Sequence, residues 1–134
     1  MGTKIFVNLP VKDLNKSKEF FTKLGFTFNP QFTDQNAACM VISEDSYAML
    51  LVEPFFKTFT KKEIANAKES TEVLVALSVE SREKVDEMLS RALAAGAKEA
   101  REPQDHGFMY GRSLEDLDGH IWEIFWMDPK TINQ

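Results

Sequence analysis

Two stretches of this chain repeat one pattern. Phe6-Val7-Asn8-Leu9-Pro10-Val11-Lys12-Asp13 lies over Leu74-Val75-Ala76-Leu77-Ser78-Val79-Glu80-Ser81. Val7 falls on Val75, Leu9 on Leu77 and Val11 on Val79, with the every-second-residue spacing of a strand buried on one face. Asp13 and Ser81 are both good helix N-caps, because a short side-chain oxygen there accepts a hydrogen bond from an otherwise orphan amide. Each opens a segment of helical period in which Phe20 lies over Met88 and Phe21 over Leu89, and each segment runs out at a glycine, Gly25 or Gly96. The chain is therefore expected to be two copies of one strand-helix-strands unit. A functional site then belongs in the concave space the copies build together, or between two chains.

Read in order, the first copy gives a strand over 4–11, a helix after Asp13, strands over 26–28 and 37–43, a turn at Glu44-Asp45-Ser46 and a strand over 47–52. The second gives a strand over 72–79, a helix over 82–95 with Val85, Met88, Leu89, Ala92 and Leu93 on one face, and strands over 98–102, 108–114 and 120–127. Between them Thr60-Lys61-Lys62-Glu63 has the form of a capping box and predicts a short helix to about Lys68. The expected organisation is one domain over 1–134, with repeat one at 4–54, a connector at 55–71 and repeat two at 72–129. The expected fold class is α+β: two βαβββ repeats forming a curved eight-stranded mixed sheet with helices on its outer face. A ligand would take the concave face.

The 134 residues suffice for one ordinary core. The net charge of -5 comes with no basic run, which argues against nucleic acid or an anionic membrane surface as partner. A single cysteine excludes an intrachain disulfide, and with no spanning apolar stretch or leader peptide a cytoplasmic protein is expected. Cys39, within the apolar Ala37–Ile42, reads as a buried small hydrophobe.

Val11-Lys12-Asp13-Leu14-Asn15-Lys16-Ser17-Lys18-Glu19-Phe20-Phe21, then Leu24-Gly25-Phe26, and the closing Asp116-Leu117-Asp118-Gly119-His120-Ile121-Trp122-Glu123 resemble the vicinal oxygen chelate superfamily. That superfamily includes glyoxalase I, extradiol dioxygenases and bleomycin-resistance proteins. The resemblance implies one divalent metal held by His or Glu from the first and last strands of each unit. Carried onto this chain, those positions are Phe6, Leu74, Glu123 and, aligning the two turns, Leu50. Only Glu123 is a ligand type, whereas zinc, iron and manganese sites need three or more His, Cys or carboxylate ligands. No cofactor is expected on this reading, and a divalent metal with a non-standard ligand set stays open.

Glu123 points into the concave face on the family register, beside Ile121 and Phe125. Without a metal it is either a structural partner of Arg112 or a ligand-contacting acid or base. His120, three residues from Glu123, faces the other way and reads as a turn residue, and His106 lies in the loop before the strand carrying Tyr110 and Arg112. Phe6, Phe32, Phe108, Tyr110 and Phe125 are aromatic candidates for the concave face, joined by the amide of Asn8. Trp122 and Trp126 are expected under the helices. The candidate ligand-binding set is Phe6, Asn8, Leu50, Leu74, Phe108, Tyr110, Arg112, Glu123 and Phe125.

Two functions compete. One is a metal-free protein that binds a small aromatic or apolar molecule, like the bleomycin-resistance members. The other is a metal-dependent lyase or dioxygenase with a non-standard site. A homodimer is expected, since the resemblance implies pairing and the apolar connector Phe55-Phe56 needs cover; Phe55, Phe56 and Phe59 could equally form a lid over the site, make a dimer contact or only anchor the connector.

Overall fold

The computed structural model describes residues 2–132 of the chain. Residues pack into two units that divide between Ala65 and Asn66. Each holds one four-stranded sheet with the same order.

In the first unit β1 (Ile5–Val11) leads into α1 (Leu14–Lys23), then β2 (Thr27–Phe28), β3 (Ala37–Val41) and β4 (Ser46–Val52). β4 pairs in parallel with β1 and antiparallel with β3, and β3 pairs with β2, giving the order β1-β4-β3-β2. α2 (Glu53–Phe56) and a 3-10 turn at Lys57–Phe59 follow. In the second unit β5 (Leu74–Ser78), α3 (Arg82–Ala94), β6 (Lys98–Asp105), β7 (Met109–Glu115) and β8 (Ile121–Met127) repeat the path as β5-β8-β7-β6, before a last turn α4 (Pro129–Ile132). Two βαβββ modules of an α+β fold are thus present.

The caps that the sequence announces form in both copies. Asp13 accepts the amide of Lys16, and Ser81 accepts that of Lys84. Gly25 and Gly96, just past the helices, take φ of 108° and 112°, the left-handed region that a side chain disfavours. Each helix buries one stripe on its sheet. α1 buries Leu14, Ser17, Phe20 and Phe21, and α3 buries Val85, Met88, Leu89 and Ala92. The strands answer with Leu9, Val11, Met40, Ala48 and Leu50 in unit 1, and with Leu114, Trp122 and Ile124 in unit 2.

The connector departs from expectation. No helix forms over 60–68; the helical residues lie upstream, at 53–59. Thr60 Oγ1 accepts from the amide of Lys62, one residue short of the capping-box partner. The segment after Thr60 offers only Ile64 and two alanines for docking. A short helix without an apolar stripe does not repay its own nucleation.

Candidate functional site

Paired strands give each sheet a helix-covered face and an open face. In unit 2 the register sets Ala76 beside Glu123 and Glu123 beside Ser113, and Ser113 pairs with Arg101 of β6. Paired residues project to the same side. Arg101, Ser113, Glu123 and Ala76 therefore cross the open face as one row. The next row, one step along the strands, is Gln104, Gly111, Phe125 and Ser78, and Leu74 with Ile121 flanks the first on its other side.

Arg101 Nη2 lies 3.6 Å from Glu123 Oε1, with the Glu123 side chain only 21% exposed and Arg101 57% exposed. The register of β6 shifts on both sides of Arg101. Such bulges re-aim side chains, and here the bulge lets Arg101 reach across β7. Ser113 is 1% exposed, and its Oγ has no hydrogen-bond partner among the described residues. Buried hydroxyls are ordinarily bonded, because an orphan one costs about 1–3 kcal/mol.

The corresponding row in unit 1 is Cys39, Met49 and Asn8. Asn8 and Ala76 are matched by the repeat, so Met49 stands where unit 2 has Glu123. Leu50 does not: it pairs with Leu9, is fully buried and faces α1. Its assignment to the open face is corrected by one residue. Phe6 does lie on the open face, 48% exposed and stacked on Tyr47 with ring centroids 4.7 Å apart. Tyr47, which the sequence places in a strand but not among the candidate site residues, enters through its pairing with Phe6. Leu74, 55% exposed, and Phe125 also face the open side; Phe32 is exposed in a 3-10 turn and Phe108 in the β6–β7 turn.

Tyr110 and Arg112 move to the opposite face. They pair with Trp126 and Ile124, in phase with buried Leu114, and so point toward α3. Arg112 donates to Asp86 Oδ1 at 3.0 Å and, through Nε and Nη2, to Glu99 Oε2 at 3.0 and 2.9 Å. Tyr110 Oη donates to Asp86 Oδ1 at 2.6 Å, and that bond holds the phenol above its ordinary pKa. Arg112 is thus committed to α3 and β6, and Glu123 takes Arg101 instead. Leu114 carried the signal: two residues apart in a strand means one face.

Beside this network Arg82 forks onto Asp105, Nη1 to Oδ2 at 2.9 Å and Nη2 to Oδ1 at 2.8 Å, with its guanidinium over the rings of Tyr110 and Trp126. The Arg82 guanidinium, helped by the amide of Gly107, holds the Asp105 carboxyl well below the usual carboxylate range. His106 lies in the same turn, its ring 6.3 Å from that of Phe108.

The Asp116–His120 motif builds the turn before β8. Asp116 Oδ1 accepts from the amides of Asp118 and His120, and Oδ2 from Trp122 Nε1 at 2.9 Å. Burial nevertheless pushes the Asp116 carboxyl above its ordinary pKa. Gly119 takes φ 92°, and a Cβ there would meet the backbone nitrogen of Lys68 at 2.8 Å, so only glycine fits. The motif holds the start of β8, and hence Glu123, in place.

The sequence pattern of the bleomycin resistance protein-like N-terminal family matches residues 3–43. The fold matches that of the hypothetical protein SA1046 from S. aureus at 30% identity, covering 94% of this chain and 95% of that one, with a TM-score of 0.79. The chain belongs to the vicinal oxygen chelate superfamily. A glyoxalase/bleomycin resistance protein/dioxygenase family enzyme from Burkholderia phytofirmans PsJN has the same fold at 17% identity, over 94% of this chain and 99% of that one, with a TM-score of 0.77. A glyoxalase-related enzyme from Fulvimarina pelagi does so at 19% identity, over 94% and 88%, with a TM-score of 0.78. No curated protein matches the sequence.

At the positions that the family resemblance assigns to metal ligands, unit 1 places Phe6 and Met49, and unit 2 places Leu74 and Glu123. Unit 1 offers there one soft thioether and unit 2 one carboxylate, and neither set fits a divalent ion that asks for three or more hard or imidazole ligands. Among the described residues no group of three or more His, Cys, Asp and Glu side chains could hold a metal.

Proposed function

We propose that this vicinal oxygen chelate protein binds a small planar or apolar molecule on the open sheet face around Glu123, without a metal. The observation that carries this reading is the exchange of three of four ligand positions for Phe6, Met49 and Leu74. On the same sheet Leu74 supplies apolar contact area, and Phe125 adds an aromatic wall beside Glu123. Aromatic surface with a few polar groups suits a planar guest. In this reading the protein is a cytoplasmic homodimer. Ile5, Phe6, Phe59, Val73 and Leu74 are exposed apolar residues that association would cover. Among the described residues no helix is long and apolar enough to cross a membrane.

The test is elemental analysis together with calorimetric titration of zinc, manganese and iron(II) into the purified protein. The expected result is no stoichiometric metal and no saturable uptake. A tightly held equivalent of any of the three, lost on Glu123→Gln, overturns the metal-free reading in favour of a lyase or dioxygenase.

A further inference from the structure

We propose that Ser113 and Glu123 form a donor-acceptor pair that reads the amide edge of a planar carboxamide or lactam. The inference rests on the metal-free binding reading above. Three features of the open face of unit 2 point to it.

The first is the orphan hydroxyl. Ser113 Oγ is buried and has no hydrogen-bond partner among the described residues. The second is its neighbour. Glu123 is the residue paired with Ser113 across β7 and β8, and its one polar partner among the described residues is Arg101, at 3.6 Å. Side chains opposed across an antiparallel pair stand about 4.5–5.5 Å apart at Cβ, close enough for two polar groups to converge on one ligand group. A carboxylate only accepts, whereas a serine hydroxyl can donate. The complementary ligand group places an N–H donor next to a carbonyl acceptor, which is the edge of a primary amide or a lactam. The third is the floor. Gly111 follows Ser113 along the open face and pairs with Phe125; a Cβ at Gly111 would meet Phe125 Cβ at 3.3 Å. With Ala76 and Ser78 on β5, the surface beside Glu123 and Phe125 is built of small residues, which leaves room for a flat ring.

Arg101 explains why the hydroxyl is covered. Ser113 lies between Arg101 and Glu123 in the row, and strands are about 4.8 Å apart. An Arg101 side chain that reaches Glu123 therefore crosses over Ser113. The Arg101 side chain is more than half exposed, and its Nη2 lies beyond hydrogen-bond distance of Glu123 Oε1. It is a strap that a ligand displaces, exchanging a weak surface contact for two bonds underneath.

The test is protein-observed NMR titration with four probes of one size: benzamide, which donates and accepts; acetophenone, which accepts; benzamidine, which donates; and toluene, which does neither. Benzamide is expected to bind at least about fivefold more tightly than the other three, the ratio that one hydrogen bond supplies. Its shifts should centre on Ser113, Glu123 and Phe125. Ser113→Ala should erase that advantage while leaving the fold intact, since it removes only an unbonded hydroxyl. Arg101→Ala should tighten benzamide by opening the strap. If benzamidine binds best and ignores Ser113→Ala, the site takes a cation and the amide inference is overturned. If toluene matches benzamide on the same face, the amide inference falls and the small-molecule reading stands. If no probe shifts this face in either the parent or Arg101→Ala, both fall.

Discussion

At equivalent places in the two sheets, unit 1 carries Ala48 and unit 2 carries Trp122. The register decides the equivalence: Val7 pairs with Ala48, Val75 pairs with Trp122, and the repeat matches Val7 to Val75. The helices trade in the other direction. α1 buries Phe20 and Phe21 where α3 buries Met88 and Leu89. One copy fills its core from the helix and the other from the strand. Volume-conserving exchange of this kind keeps a core dense while its contents change. The open faces diverge further. Cys39, Met49 and Asn8 in unit 1 become Ser113, Glu123 and Ala76 in unit 2. Caps, strand order and pairing are held in common, and the residues free of those duties carry the differences.

Trp122→Ala should cost unit 2 most. It opens a cavity under α3 and also removes the Nε1 donor from buried Asp116. A loss of about 3–5 kcal/mol in urea unfolding is expected. Phe20→Ala in unit 1 should fall in the same range of about 3–5 kcal/mol. A cost for Trp122→Ala below about 1 kcal/mol would be that of a surface site. It would mean the strand does not supply the bulk of that core.

The shared features were legible because they are local. Asp13 and Ser81 cap, Gly25 and Gly96 terminate, and Val7, Leu9 and Val11 alternate, each within a few residues. The misplacements arose where local pattern is silent. Ala48, Leu50 and Leu51 of β4 are all buried, so the run carries no alternation to say which residue faces the helix. Only the pairing of Asn8 with Met49 settles it, and that is a contact between distant residues. Tyr110 suggests the cavity because it is aromatic, and Arg112 because Glu123 needs a cation. They face the helix side because Asp86 and Glu99 meet them there. The row of Arg101, Ser113 and Glu123 joins three strands, and a bulge that the sequence does not announce aims its first member.

A medium effect is expected from making the open faces alike. Glu123→Met writes the residue of unit 1 into unit 2. The Arg101 contact it removes is long and solvent-exposed on its arginine side, of the kind worth about 0–1 kcal/mol. Burying a thioether in place of a carboxylate that accepts no hydrogen bond from the described residues offsets that. Stability should stay within about 1 kcal/mol of the parent, on the stabilising side, as is common where a polar group is kept for function. A loss of about 3 kcal/mol, the figure for breaking a buried ion pair, would make Glu123 a structural residue.

The smallest effect concerns the first helical residue, Leu14 in unit 1 and Arg82 in unit 2. Leu14 is buried, whereas Arg82 reaches out to Asp105 and to the carbonyl of Gly107. The pair lowers the folded-state pKa of Asp105 below its ordinary 3.8, with the Arg82 bond the largest cause. The unfolded chain then binds the proton more readily than the folded one. The stabilisation is fully present above about pH 4 and is lost as the pH falls through the folded-state value. Asp116 works in the opposite sense: burial raises its pKa, so its share of stability grows as the pH falls toward 3.8. Arg82→Ala removes the first contribution and leaves the second. The variant should lie slightly below the parent at neutral pH, and the gap should close on acidification below about pH 4. The pair is exposed, so salt should shrink the gap as well. Thermal melts across that range measure it. Curves that stay parallel down to the lowest pH would mean that the Arg82 fork secures the start of α3 by packing against Tyr110 and Trp126, with its charge contributing nothing to stability.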